Sequence, residues 1–166
     1  KEGKEYELPE DITTELMHFF GHYIPRLKIE EGKLKLYVYD SRREKMLSIR
    51  HVPHGFIKLL AVLTAANMHP SILIIDEFEN ALHWELQERL IRVLDDMMEQ
   101  VIIITHSPVP IEILFDIIPK KNFKIIGFSL DIRGSTIVKD FDEEEEIIQF
   151  LESEGISRSR LYLLRA

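Results

Sequence analysis

Two stretches of this chain decide the fold: SILIIDE at Ser71–Glu77 and VIIITHSP at Val101–Pro108. Each is an apolar run, rich in β-branched residues, that ends abruptly in polar side chains. Such short apolar runs predict two buried parallel strands rather than helices. Because ligands bind outside the carboxyl ends of the strands in an open parallel sheet, Asp76, Glu77 and His106 are expected to share one crevice.

The residue types at these strand ends suit the polyphosphate end of a nucleotide with its metal ion. A carboxylate such as Asp76 can hold Mg²⁺ directly or through water. A second carboxylate, Glu77, can orient or deprotonate an attacking water, and His106 can hydrogen-bond a terminal phosphate. The alternatives are an acidic helix start for the carboxylates and a turn histidine satisfied by local backbone. No phosphate-binding loop of the form G-x-x-x-x-G-K-[ST] occurs in the 166 residues.

The segments around the two strands predict an α/β architecture. Glu85–Met98 carries apolar residues on one helical face and supplies the crossover that neighbouring parallel strands require. Phe56–Met68 is apolar almost all round, which is typical of a buried helix. Ser107 and Pro108 indicate an N-cap and the first turn of a helix that extends to about Phe115. We therefore predict a mainly parallel sheet flanked by helices, with additional β-strands.

The additional elements are predicted from local periodicity and turn residues. The predicted helices are Pro9–His22, Glu143–Glu154 and Arg158–Leu164. The predicted strands are Leu27–Ile29, Leu34–Tyr39, Met46–His51, Phe123–Leu130 and Ser135–Asp140, the last two joined by a turn at Arg133-Gly134. No linker-like stretch divides the chain, so residues 1–166 are expected to form a single domain.

The composition excludes several classes of function. A net charge of −8, from 29 acidic and 21 basic residues, argues against direct binding of nucleic acid by this segment. The absence of cysteine rules out disulfides and thiolate metal sites and fits a reducing cytoplasm. No apolar run approaches the roughly 20 residues of a membrane span, and no signal peptide is evident. We expect a cytoplasmic protein.

Two further segments are candidates for a nucleotide site. Asn80–His83 connects the Asp76-Glu77 strand end to the long helix, either as a plain helix start or as an interface loop near a nucleotide. Gly55 lies at a predicted helix start, where backbone amides attract anions, although an ordinary turn explains it equally well. The histidine pairs His51/His54 and His18/His22 have spacings that permit joint metal ligation, but no third ligand is evident.

Taken in order, these pieces resemble the C-terminal half of an ABC-type P-loop ATPase. The resemblance is to the AAA-type, ABC-related ATP-binding branch, which includes overcoming-lysogenization-defect nucleases and SMC-like ATPases. That branch reads Asp-Glu-Pro-Glu-x-x-Leu-His-Pro after its Walker B strand and Thr-His-Ser-Pro at its switch strand. Here Asp76–Trp84 reads DEFENALHW and Thr105–Pro108 reads THSP. The match covers roughly residues 48–115.

The resemblance implies a role for each candidate residue. Asp76 is the metal-associated Walker B carboxylate, Glu77 the catalytic base for water, and His106 the switch histidine. Asn80–His83 corresponds to the D-loop, and Gly55 to the signature glycine that faces the ATP of the opposite subunit. The implied cofactor-binding residues are Gly55, Asn80 and His83.

The resemblance also implies cofactors and partners. ATP and Mg²⁺ would be bound jointly with an N-terminal half that carries the Walker A loop and the Q-loop and lies outside this chain. Two such molecules would enclose two ATPs in a head-to-tail dimer. Nucleic acid would be contacted through the full assembly. This segment alone is expected to have little or no turnover.

The chain departs from the branch pattern at three positions. Phe78 and Trp84 replace the usual prolines. Pro53 stands at the signature serine and has no hydroxyl for a γ-phosphate. That substitution motivates a second hypothesis, a non-catalytic module that binds nucleotide and assembles a complex. A third hypothesis is a metal-dependent nuclease in which Asp76, Glu77 and His106 bind a metal pair.

Overall fold

The computed structural model describes residues 5–31, 33–119, 122–130, 135–141, 143, 145–147, 149–150 and 160–165. The chain divides into two compact units, Lys1–Asn67 and Met68–Ala166. Each unit is described separately below. No helix of the described residues is long and apolar enough to cross a membrane.

The first unit combines an antiparallel sheet with two helices. Its elements are β1 (Glu5–Tyr6), α1 (Glu10–Phe20), β2 (Tyr23–Glu30), β3 (Lys33–Asp40), β4 (Lys45–Ser48), a 3₁₀ turn (Ile49–His51) and α2 (His54–Asn67). The strands lie in the order β1-β2-β3-β4, and every neighbouring pair is antiparallel. The α2 helix buries one face, with Phe56 and Ala66 at 0% exposure, whereas Ala61 on the other side is exposed.

The predicted elements of the first unit are found with shifted ends. The strands predicted at Leu27–Ile29 and Leu34–Tyr39 belong to a longer hairpin, because the register continues to the Tyr23–Asp40 pair. The strand predicted at Met46–His51 is wrong in its second half. Pairing with β3 ends at Ser48, whose hydroxyl accepts a hydrogen bond from the amide of Arg50 at the start of the 3₁₀ turn.

The second unit contains a five-stranded mixed sheet. Its elements are β5 (Leu73–Ile75), α3 (Trp84–Met97), β6 (Val101–Thr105), α4 (Val109–Ile117), β7 (Phe123–Leu130), β8 (Thr136–Phe141) and β9 (Arg160–Arg165). The strand order is β5-β6-β9-β7-β8. Among the residues that the structure describes, only β5 and β6 pair in parallel, with Leu73 opposite Val101 and Ile75 opposite Ile103. The remaining neighbours are antiparallel, so the prediction of a mainly parallel sheet is wrong.

The helix predicted at Arg158–Leu164 is also wrong. Residues Arg160–Arg165 form β9, which pairs with β6 on one side and with β7 on the other. A short apolar segment carries no periodicity that separates strand from helix, and pairing on both edges decides its conformation. Of the helix predicted at Glu143–Glu154, residues 145–147 and 149–150 are helical, whereas the predicted Arg133-Gly134 turn lies outside the described residues.

Strand β5 is parallel, as predicted, but it is buried on one face only. It lies at the edge of the sheet, and Ile72 and Ile74 are 49% and 61% exposed. Leu73 and Ile75 face the core at 9% and 6% exposure. The apolar run therefore has an uncovered face and an unpaired edge within the described residues.

Close packing in the second unit predicts a stability effect at Gly127 on β7. A Cβ atom added there would lie 2.5 Å from Phe141 Cε2 and 2.9 Å from Phe150 Cε1. Both rings are buried and cannot move freely. Gly127→Ala should lower the free energy of unfolding by about 1–3 kcal/mol, the usual cost of overpacking. Urea denaturation monitored by circular dichroism measures the change.

The matched control is Ile137→Val on the neighbouring strand β8. Ile137 is 42% exposed, and the substitution keeps the β-branched shape. Its effect on the free energy of unfolding should stay within about 0.5 kcal/mol. Equal stability of Gly127→Ala and the unsubstituted protein would contradict the packing at this position.

Candidate functional site

Parallel pairing of β5 with β6 brings the polar ends of both strands to one edge of the sheet. A small cavity of about 20 Å³ lies there, lined by Asp76, Glu77, Ile104, Thr105 and His106. A polar cavity of this size has room for about one water molecule. The three side chains that the sequence predicts to share a crevice therefore line one cavity in the second unit.

The loop after β5 turns back sharply on itself. Glu77 has a left-handed backbone with φ of 50°. Its amide donates to Asp76 Oδ1 at 2.9 Å, and its Oε2 accepts from the side-chain amide of Asn80 at 3.3 Å. A non-glycine residue in this conformation stores backbone strain of about 1–3 kcal/mol, which persists where the surroundings enforce it. The acidic pair does not start a helix, because α3 begins only at Trp84.

The Glu79 carboxylate bonds the loop after β6, and the sequence analysis assigned it no role. Its side chain is only 13% exposed. Oε2 accepts from the Thr105 hydroxyl at 2.6 Å. Oε1 accepts from the backbone amide of His106 at 3.2 Å and lies 2.7 Å from His106 Nδ1. The sequence does contain a signal for this contact. Glu79 is a third carboxylate after β5, and Thr105-His106 at the end of β6 supplies hydrogen-bond donors.

Backbone contacts also join the two loops and anchor the segment that follows. The amide of Phe78 donates to the carbonyl of Ile104 at 3.1 Å, and the Phe78 ring is completely buried. Leu82 is buried, and its carbonyl accepts from the side-chain amide of Gln87 at 2.9 Å. These contacts fix both ends of the segment that connects β5 to α3.

The remaining candidates lie outside the cavity lining. Asn80 contacts Glu77, as described, whereas His83 is exposed at the position that precedes α3 and caps it with no side-chain hydrogen bond. Gly55 is buried in the first turn of α2 and belongs to the first unit. A larger groove of about 520 Å³ between α3 and α4 is lined by none of the predicted site residues.

The N-cap of α4 lies one residue later than the predicted Ser107. Helix α4 has Pro108 at its N-cap, and no side-chain cap bond is made there. Ser107 nevertheless contributes, because its hydroxyl accepts from the amide of Val109 at 3.3 Å. The Ser107 amide in turn donates to Thr105 Oγ1 at 3.0 Å, so the loop after β6 is held from both sides.

The donor set fits Mg²⁺ only in the presence of further ligands. No group of three or more histidine, aspartate or glutamate side chains that could hold a metal ion is found among the described residues. Mg²⁺ is commonly bound through one or two carboxylates together with waters and substrate phosphates. Asp76, exposed at the cavity, can supply such a carboxylate.

The site is thus a parallel strand pair that ends in Asp-Glu on one strand and Thr-His on the other, within an α/β unit. The chain belongs to the family described as "AAA domain, putative AbiEii toxin, Type IV TA system", which matches residues 4–112.

A solved structure supports the same fold. It comes from work entitled "Structural biochemistry of ATP-driven dimerization and DNA stimulated activation of SMC ATPases". The two chains are 17% identical, with a TM-score of 0.58 over 87% of this chain and 91% of the other. No match is found among curated proteins. The chain therefore has a fold similar to that of an SMC ATPase.

The hydrogen bonds of Thr105 predict a measurable contribution to stability. Thr105 is 1% exposed, and its hydroxyl both donates to Glu79 and accepts from the Ser107 amide. Thr105→Val keeps the shape and leaves both partners unsatisfied. The free energy of unfolding should fall by about 1–3 kcal/mol, as measured by urea denaturation.

Thr64→Val provides the same chemical change as a control. The Thr64 hydroxyl bonds the carbonyl of Leu60 one turn earlier in α2, a local contact that adds little to helix stability. Its loss should change the free energy of unfolding by no more than about 0.5 kcal/mol. Equal effects of the two substitutions would contradict a special role for Thr105.

Proposed function

We propose that this chain supplies the hydrolytic elements of an ATPase that binds ATP with Mg²⁺. The observation that carries the proposal is the water-sized cavity lined by Asp76, Glu77 and His106 at the ends of two parallel strands. Membership of an AAA family supports a nucleotide as the ligand. The chemistry proposed is attack of water on a terminal phosphate.

Each site residue has a proposed role. Asp76 contributes a carboxylate to the metal, which neutralises phosphate charge when it is bound. Glu77 accepts the proton of the attacking water, and the Asn80 amide 3.3 Å away holds its carboxylate. His106 hydrogen-bonds either the water or the terminal phosphate. Asn80–His83 acts as the D-loop, and Gly55 contacts the nucleotide of an opposite subunit.

The phosphate-binding loop must come from another segment, because no such motif occurs in the 166 residues. The uncovered face and unpaired edge of β5 support this view. Ile74 lies within β5, the strand that leads into Asp76 and Glu77, and is 61% exposed. We propose that a segment with the loop, the N-terminal half of the ATPase domain, packs there. The resulting domain would form a cytoplasmic, ATP-dependent head-to-tail homodimer that reaches nucleic acid only as a full assembly.

Hydrolysis is tested with Glu77→Gln in the protein that includes the phosphate-binding segment. The substitution keeps an acceptor for Asn80 and removes the base. The kcat for ATP hydrolysis should fall by about 10²- to 10⁴-fold, the usual contribution of a general base. Phosphate release measures the rate, and binding of a fluorescent ATP analogue should persist.

Glu85→Gln in the first turn of α3 is the matched control. Glu85 is exposed and lies outside the cavity lining, so its kcat should equal that of the unsubstituted protein. An unchanged rate in Glu77→Gln would reject Glu77 as the base.

The second candidate function is nucleotide-dependent assembly without hydrolysis. Pro53 favours it, because the residue at the signature serine position supplies only its carbonyl, which accepts from the Phe56 amide at 3.1 Å. ATP-dependent dimerisation seen by light scattering, with no phosphate released, would favour this function over hydrolysis. No observation in the described residues favours the nuclease.

A further inference from the structure

Glu79 joins the two loops that carry the site. It follows β5 in sequence, yet its carboxylate contacts the end of β6. Oε2 accepts from the Thr105 hydroxyl at 2.6 Å, and Oε1 accepts from the His106 amide at 3.2 Å and lies 2.7 Å from His106 Nδ1. The carboxylate is 13% exposed, whereas the His106 side chain is 51% exposed. The largely buried Glu79 carboxylate thus contacts the half-exposed His106 ring.

The chemistry of an ionised carboxylate determines how that ring is protonated. An ionised carboxylate only accepts hydrogen bonds, so the 2.7 Å contact requires a proton on His106 Nδ1. Nε2 is then the ring nitrogen that remains for a ligand. In the neutral ring Nε2 accepts from water, and in the protonated ring it donates to a phosphate oxygen. The contact made by one ring nitrogen therefore sets the chemistry of the other.

We propose that Glu79 is a positioning residue that fixes His106 as the Nδ1-protonated tautomer and presents Nε2 to the group bound in the cavity. Glu79 itself does not line the cavity, so it acts through His106. Because the same carboxylate also binds Thr105, it keeps the β6 end at a fixed distance from the loop that bears Glu77. Any effect of Glu79 on the rate of ATP hydrolysis rests on the proposed ATPase function, whereas the assignment of the His106 tautomer does not.

Glutamine can satisfy the same contacts as Glu79. Its oxygen can face the two His106 donors, while its N–H donates to the Thr105 hydroxyl, which accepts as well as donates. Methionine has a similar length but supplies no oxygen acceptor. Glu79→Met therefore removes the group that selects the tautomer.

The first test reads the tautomer directly in the 166-residue chain. Two-bond ¹H–¹⁵N spectra recorded at the alkaline end of a pH series, with the ring neutral, should show His106 with its proton on Nδ1. Glu79→Met should shift His106 toward the Nε2-protonated form or a mixture. Glu99→Met, an exposed position just beyond α3, should leave the spectrum unchanged.

Two results would overturn the proposal. One is a proton on Nε2 in the unsubstituted chain, and the other is an unchanged His106 tautomer in folded Glu79→Met. If Glu79→Met does not fold, the unsubstituted chain and Glu79→Asp decide instead. Glu79→Asp keeps two acceptor oxygens on a side chain one methylene shorter, and it should weaken the tautomer preference without reversing it.

The second test uses ATP hydrolysis by the protein that includes the phosphate-binding segment. Glu79→Met should lower kcat by about 10- to 100-fold, by analogy with loss of the carboxylate that orients a metal-ligating histidine, with a smaller change in KM. Glu99→Met should have no effect. An unsubstituted protein that hydrolyses no ATP would reject the proposed function, whereas a tautomer that does not depend on Glu79 would reject the positioning role.

Discussion

The parallel pairing of β5 with β6 is the constraint on which the site depends. The pairing sets Ile75, the last residue of β5, opposite Ile103, and β6 continues to Thr105. The loop after β5 therefore starts beside the last residues of β6. Polar residues that are distant in sequence line one cavity there, Asp76 and Glu77 from one strand and Thr105 and His106 from the other.

Glu79 extends this constraint from the backbone to the side chains. Its carboxylate converts two neighbouring loops into one hydrogen-bonded unit, with the Phe78 amide bound to the Ile104 carbonyl beside it. The left-handed backbone at Glu77 is compatible with such a rigid loop, because its strain persists only where neighbours enforce it. The exposed carboxylates and imidazole thus lie on two loops that are anchored by the buried, hydrogen-bonded residues Phe78 and Thr105.

Much of this centre is predictable because its signals are local. Abrupt changes from β-branched to polar residues indicate β5 and β6, and one apolar face indicates α3. The predictions are wrong where strand pairing determines the conformation. Arg160–Arg165 is a strand because β6 and β7 offer it edges on both sides, and its insertion makes the sheet mostly antiparallel. The exposure of Ile74 follows from the edge position of β5, which its composition does not reveal.

The sequence by itself determined the strand–helix–strand unit, the candidate residues at its strand ends and the family to which the chain belongs. Periodicity and side-chain chemistry suffice for these features, since both depend on residues that are close together in the sequence. Only the tertiary structure decided the strand order, the uncovered face of β5 and the contact of Glu79 with His106. Each of these depends on groups far apart in the chain, whose meeting is set by packing and hydrogen bonding in three dimensions.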